Sequence, residues 1–187
     1  GSVRSVAQSR STRLGRVTGS EVSPITRKLG ATLRIHALAS WVPEATRVFV
    51  DIGTNHAILP IVVAKADRAQ RCIAIDRSAL ALKDAQRRLR RSHCLTRIEM
   101  RLGDGMSVLT PEEIDVICVA GIGPRSMVRI LTGGLDLMRN RAVRLILNPL
   151  GSSKVVREFL ADHGFDLLSD TVVNGRGREY EVLVAHR

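Results

Sequence analysis

The chain has 187 residues, enough for one domain with a full hydrophobic core and too few for two ordinary ones. Its apolar residues, 44% of the total, form no run near the roughly 20 residues of a bilayer span, which excludes a transmembrane helix and predicts a soluble, cytoplasmic protein. The formal net charge of +11 is carried almost wholly by arginine, since Lys28, Lys65, Lys83 and Lys154 are the only lysines. Forked guanidinium groups favour phosphates, so nucleic acid is the expected partner class, although codon bias toward arginine yields a similar balance. Cys72, Cys94 and Cys118 are odd in number and lack metal-ligand spacing, so reduced thiols are expected, with neither disulfide nor metal site.

Residues 1–23 carry Arg4, Arg10, Arg13 and Arg16 and no acid before Glu21. They read as a flexible basic arm whose first residues are an expression scar, an organellar transit peptide being the alternative. From Pro24 to about Ser40, Ile25, Leu29, Leu33, Ala37 and Leu38 recur at helical spacing. Strands are then expected at 47–52, 71–76, 97–101, 114–119 and 143–148, separated by helices at about 57–68, 78–92, 124–132 and 152–163. That alternation predicts an α/β, doubly wound, mostly parallel sheet with helices on both faces. The last two runs, 165–173 and 179–186, are joined by the glycine-rich turn NGRGRE and predict a C-terminal antiparallel hairpin. Seven strands so arranged describe the Rossmann-like class I methyltransferase variant.

In such sheets the ligand sits beyond the carboxyl ends of the strands, where strand order reverses. The first strand runs into Asp51, Gly53, Thr54 and Asn55 in the stretch DIGTNHAILPI. One glycine and an acid suit a pyrophosphate poorly and a cationic or zwitterionic ligand better, of which S-adenosylmethionine is the common example. Asp76, followed by Arg77, closes the second strand, where a carboxylate can take ribose hydroxyls. Asp104 lies between Gly103 and Gly105 after the third, placed to accept from an adenine amino group. Each acid alone is as readily a turn or cap residue. Three, each after a separate strand, favour a nucleoside-containing ligand.

The segments DIGTNHAILPI, IAID, RLGDGM, VAGIG, RLILNPL and REYEVL, in that order, resemble the bacterial tRNA (adenine(22)-N1)-methyltransferase family over residues 29–187. The resemblance implies that residues 24–187 form an S-adenosylmethionine-dependent methyltransferase domain. Asp51, Gly53, Asp76, Asp104 and Gly105 would line the cofactor site, and His56, Ala120, Gly121 and Asn148 the space where donor and base meet. Asn148, His56 and Asn55 are then the candidate catalytic residues. Ile58, Arg125 and Arg129 are the candidates facing the substrate. Departures cluster on the acceptor side: the family's tyrosine in HAYLP is Ile58, and its second AGMGG glycine is followed here by Pro124. The family also continues into a helical C-terminal domain, so a partner chain supplying RNA-binding helices is a further expectation.

The expected reaction is methyl transfer to N1 of an adenine in tRNA. Asn148 would bond the adenine edge, while the run RRLRR at 87–91 is either a solvated helix face or a phosphate contact. Five phenylalanine, tyrosine and tryptophan residues are few for stacking flipped bases, so arginine planes would have to substitute. Two alternatives stay open: a non-catalytic module binding S-adenosylmethionine and RNA, and a small-molecule methyltransferase.

Overall fold

Strand β1 (Thr46–Ile52) lies inside the sheet and is buried on both faces. Val48, Val50 and Ile52 enter one core cluster and Phe49 the other, the two-residue alternation of a strand covered on both sides. The computed structural model describes residues 33–175 and 178–187; the expected basic arm, the first part of the expected 24–40 helix and two residues of the hairpin turn lie outside them.

β1 is flanked in parallel by β2 (Ala69–Asp76) and β4 (Val116–Ile122), with β3 (Ile98–Leu102) beyond β2 and β5 (Arg144–Pro149) beyond β4. β7 (Arg178–His186) joins β5 antiparallel and β6 (Asp166–Gly175) closes the edge, giving the order β3-β2-β1-β4-β5-β7-β6. The expected seven-stranded, mostly parallel sheet with its terminal hairpin is therefore observed.

Helices α1 (Leu33–Ser40), α2 (Ile58–Lys65) and α3 (Ala79–Ser92) pack against the Phe49 face. On the other face lie α4 (Pro124–Gly133), the short α5 (Leu135–Met138) and α6 (Lys154–Asp162). α3 starts at Ser78, whose Oγ accepts from the Ala81 amide at 3.2 Å, and ends on His93 in the left-handed region at φ 62°, with Arg90 and Arg91 in its last turn. Ala85 and Leu89 bury one side while Arg87, Arg90 and Arg91 are exposed. α2 is shorter than its apolar pattern predicted, because the chain turns at Asp67 with φ 55° and starts β2 at Ala69. α5 and a 3-10 turn at Pro111–Glu113 carried too few residues for periodicity to reveal. Full burial of side chains such as Phe49, Ile73, Ile117 and Leu145 supplies about 1.5–3 kcal/mol each.

Glu113 clamps β2, β3 and the 3-10 turn together. Its carboxylate accepts from both Arg101 amino nitrogens at 2.6 and 2.7 Å, from Arg71 at 3.0 Å and from the Thr110 amide at 3.1 Å. Arg101 in turn donates through Nε to Glu99, which also pairs with Arg71. The Arg101 fork holds the Glu113 carboxyl down at about 2, against the opposing effect of burial. Because the folded value lies below the ordinary 4.5, this contribution is complete above pH 4.5 and is lost as pH falls toward 2. Glu113→Gln should lower stability at pH 7 by about 2–3 kcal/mol and shrink the difference from wild type as pH approaches 3. Denaturant midpoints at pH 7, 4 and 3 check this; a constant difference across the series would contradict it.

Candidate functional site

The order of strands reverses between β1 and β4, and a cavity of about 500 Å³ opens there at their carboxyl ends. Strand alternation decides what faces it. Asp51 shares the face of Phe49, and Ala120 that of Cys118; Asn148 stands opposite Ala120 on β5 and shares the face of Ile146. All three therefore lie on the side covered by α1, the helix that brings Arg34 to the cavity wall.

The loop after β1 is tied to β2, since the amides of Gly53 and Thr54 both donate to the Ile75 carbonyl at 2.9 Å. Gly53 at φ 76°, Asn55 at 51° and Ala57 at 53° occupy the left-handed region, and this tight course turns the chain from strand into α2. A Cβ on Gly53 would meet nothing within 4 Å, so the loop backbone borders open space. Asp76 is held by two backbone donors, Asn55 N to Oδ2 and Ser78 N to Oδ1, each 2.9 Å. Each oxygen keeps a second lone pair for a ligand hydroxyl. Asp104 follows β3, where the Gly103 amide donates to the Asp76 carbonyl at 3.0 Å, and faces Arg129 of α4 at 3.9 Å.

Asp51 is the electrostatic centre of the cavity. It is 5% exposed, and burial pushes its carboxyl up to about 6. The Thr54 hydroxyl lowers it and the charge of Asp76 raises it, while that of Arg34 lowers it. The Thr54 Oγ is itself buried with no hydrogen-bond partner among the described residues, so it sits near the carboxylate without alignment for a full bond. A buried carboxylate and an orphaned hydroxyl beside open space form an acceptor set for a cationic donor such as an ammonium group.

The expected cofactor-side residues Asp51, Gly53, Thr54, Asp76, Arg77, Gly103, Asp104, Gly105, Ala120 and Gly121 all line the cavity, as do Asn55, His56, Ile58 and Arg129. Two expected residues do not. Asn148 is fully buried: its Oδ1 accepts from Arg34 at 3.0 Å and its Nδ2 donates to the Glu181 carbonyl at 2.7 Å, so its amide is already used within the protein. Arg125 is exposed outside the lining, because α4 turns Ser126, Arg129 and Ile130 toward the cavity at helical spacing. Arg34 was missed by sequence reasoning. It sits in a helix noticed only for its apolar spacing, 114 positions from Asn148, and no local motif marks it.

The raised value at Asp51 means that ionising it costs folding stability; the penalty develops as pH rises from about 4 through 6 and is complete above that. Asp51→Asn should therefore stabilise the ligand-free protein at pH 8 by about 2–3 kcal/mol, with little gain at pH 4, while removing affinity for a cationic ligand. Thermal unfolding at both pH values, with and without ligand, checks this. A variant less stable than wild type at pH 8 would show that Asp51 is a structural acceptor instead.

The sequence model described as "Methyltransferase domain" matches residues 31–183. The curated tRNA (adenine(22)-N(1))-methyltransferase of Bacillus subtilis (strain 168) is 32% identical over 158 residues, covering 84% of this chain and 66% of that protein. The crystal structure of the B. subtilis m1A22 tRNA methyltransferase TrmK superposes with a TM-score of 0.80 at 32% identity, over 84% of this chain and 67% of that one. A Streptococcus pneumoniae protein, a candidate tRNA (m1A22) methyltransferase solved in complex with S-adenosyl-L-methionine, gives a TM-score of 0.77 at 30% identity, over 82% and 71%. The chain thus spans about two thirds of the length of these relatives. Since the family match runs through nearly all of the described sheet and its helices, the chain belongs to the methyltransferase domain family and within it is similar to the tRNA (adenine(22)-N(1))-methyltransferases.

Proposed function

We propose that this chain binds S-adenosylmethionine at the β1–β4 crevice and methylates N1 of an adenine in tRNA. The observation that carries the reading is the ring of three carboxylates, Asp51, Asp76 and Asp104, each at the carboxyl end of a separate strand and all lining one cavity of about 500 Å³. The relatives add the acceptor, since the B. subtilis protein is named for the N1 position of a tRNA adenine.

The residues suit the cofactor. Asp51, buried and in want of a cation, would hold the ammonium of its methionine part. Asp76, oriented by the Asn55 and Ser78 amides, would take the ribose hydroxyls, and Asp104 the adenine amino group. Gly53 keeps the loop backbone bare beside the ligand. When bound, S-adenosylmethionine supplies a methyl group already activated on a sulfonium. Adenine N1 offers an in-plane lone pair, so the protein need not abstract a proton before attack. Its own contribution is to hold the base in line and exclude water, which the apolar wall of Ile35, Leu38, Ile58 and Ile122 serves.

The RNA is drawn in by charge. Arg77 and Arg129 stand at the cavity, with Arg87, Arg90 and Arg91 exposed along α3. The net +11 supports a polyanionic substrate over a small molecule.

Isothermal titration with S-adenosylmethionine and S-adenosylhomocysteine, together with mass spectrometry of nucleosides from incubated tRNA, tests the reading. Both ligands should bind, 1-methyladenosine should appear, and Asp76→Ala should weaken cofactor binding by about 1–3 kcal/mol. Binding without any methylated nucleoside would leave a non-catalytic module; no binding by intact protein would remove the cofactor assignment. Affinity for tRNA should also fall steeply between about 50 and 200 mM salt, as counterion release demands. A salt-independent complex would mean that shape or stacking, not charge, recruits the RNA.

A further inference from the structure

The acceptor side of the cavity lacks an ordinary stacking surface. Among the described residues no phenylalanine, tyrosine or tryptophan lines it, and Ile58 is a branched aliphatic chain. Among the described lining residues the imidazole of His56 is the only aromatic ring, and it is exposed. A flipped purine held for chemistry in its own plane nevertheless needs a flat partner.

Arg34 is placed to be that partner. Its guanidinium is planar and lines the cavity. Three contacts set where the plane lies. Nη1 donates to Asn148 Oδ1 at 3.0 Å, and the other end of that amide is anchored on the Glu181 carbonyl at 2.7 Å, which fixes which way the amide points. The guanidinium carbon sits 5.4 Å from the centre of the Tyr180 ring. On β4 it passes over bare backbone: Gly121, at φ 74°, would place a Cβ 3.0 Å from Nη1, tighter than ordinary contact. β4, β5 and β7 thus converge on one arginine of α1.

Resting on the methyltransferase reading above, the geometry points to Arg34 as the flat surface on which the acceptor base stacks, with Tyr180 behind it and Asn148 setting its plane. Bases stack on arginine planes as they do on aromatic rings, so a ring–guanidinium–base sandwich replaces the absent aromatic. The contribution of Arg34 is the plane and not the charge, because the positive charge of the sulfonium passes to the base as N1 is methylated. Asn148 is on this account a positioning residue acting through Arg34.

The test uses the full chain, with S-adenosylmethionine for turnover and saturated with S-adenosylhomocysteine for binding, and a substitution that keeps charge while removing the plane. Arg34→Lys should lower kcat/KM for tRNA about 10- to 100-fold while S-adenosylhomocysteine affinity changes less than about threefold. His56→Ala should cost far less. A direct probe does not depend on turnover: adenosine 5′-monophosphate added to the complex should move the Arg34 side-chain Nε–H resonance upfield through the ring current of the base, with Arg34→Lys identifying the signal by its loss. Arg34→Lys within twofold of wild type, a larger loss in His56→Ala, or a resonance unmoved by nucleotide would each overturn the assignment. Wild-type protein that methylates no adenine N1 would defeat the functional reading, and the resonance would still decide whether Arg34 meets the base.

Discussion

The buried carboxylate of Asp51 is the constraint around which the site is arranged. It closes β1 on the face covered by α1, where it is nearly without solvent, and the strands on either side leave it no full counter-charge. Protein interiors disfavour such a group, and no packing requirement explains it. On the proposed reading, the energy stored in its ionisation is released when the cationic ligand arrives and supplies what the fold withholds. Asp76 and Asp104 complete the ring, with Asp76 held at ligand-ready orientation by the amides of its own turn and of the neighbouring loop.

A second polar network on the same face ties the C-terminal hairpin to the cavity. Asn148 joins Arg34 of α1 to the backbone of β7, and Tyr180 of β7 lies under the same guanidinium. β7 is antiparallel to β5, so a residue near its start comes level with the carboxyl end of β5. The hairpin, which is separate from the parallel strands, thereby reaches Arg34 at the cavity wall. Glu113 and its arginines belong to a different task, clamping β2 and β3 to the 3-10 turn. The contrast is informative: the Glu113 carboxylate is fully paired and supports folding, whereas Asp51 is under-paired and faces open space.

What the sequence by itself determined is the local and the periodic. Alternation of β-branched runs with helical patterns dictated a doubly wound sheet, and NGRGRE between two apolar runs dictated the hairpin, because turn chemistry and side-chain period are short-range properties. The strand-ending acids could be read for the same reason, since parallel topology brings all carboxyl ends to one edge of the sheet. Short pieces escaped: the four residues of α5 are less than two turns, too few for a period to show.

Only the tertiary structure decided how the polar groups beside the cavity are shared. Asn148 looked like a ligand-facing residue because its strand ends at the crevice, yet its amide is spent on Arg34 and the Glu181 carbonyl. Arg34 carries no mark in a helix read only for its apolar spacing, yet the placement of α1 brings it to the cavity wall and onto Asn148 of β5. Neither fact is written in any window of the chain, because each depends on partners more than thirty positions away: 114 between Arg34 and Asn148, and 33 between Asn148 and Glu181. The pairing of hydrogen-bond donors and acceptors across a sheet is settled by register and helix placement, which exist only once the chain has folded.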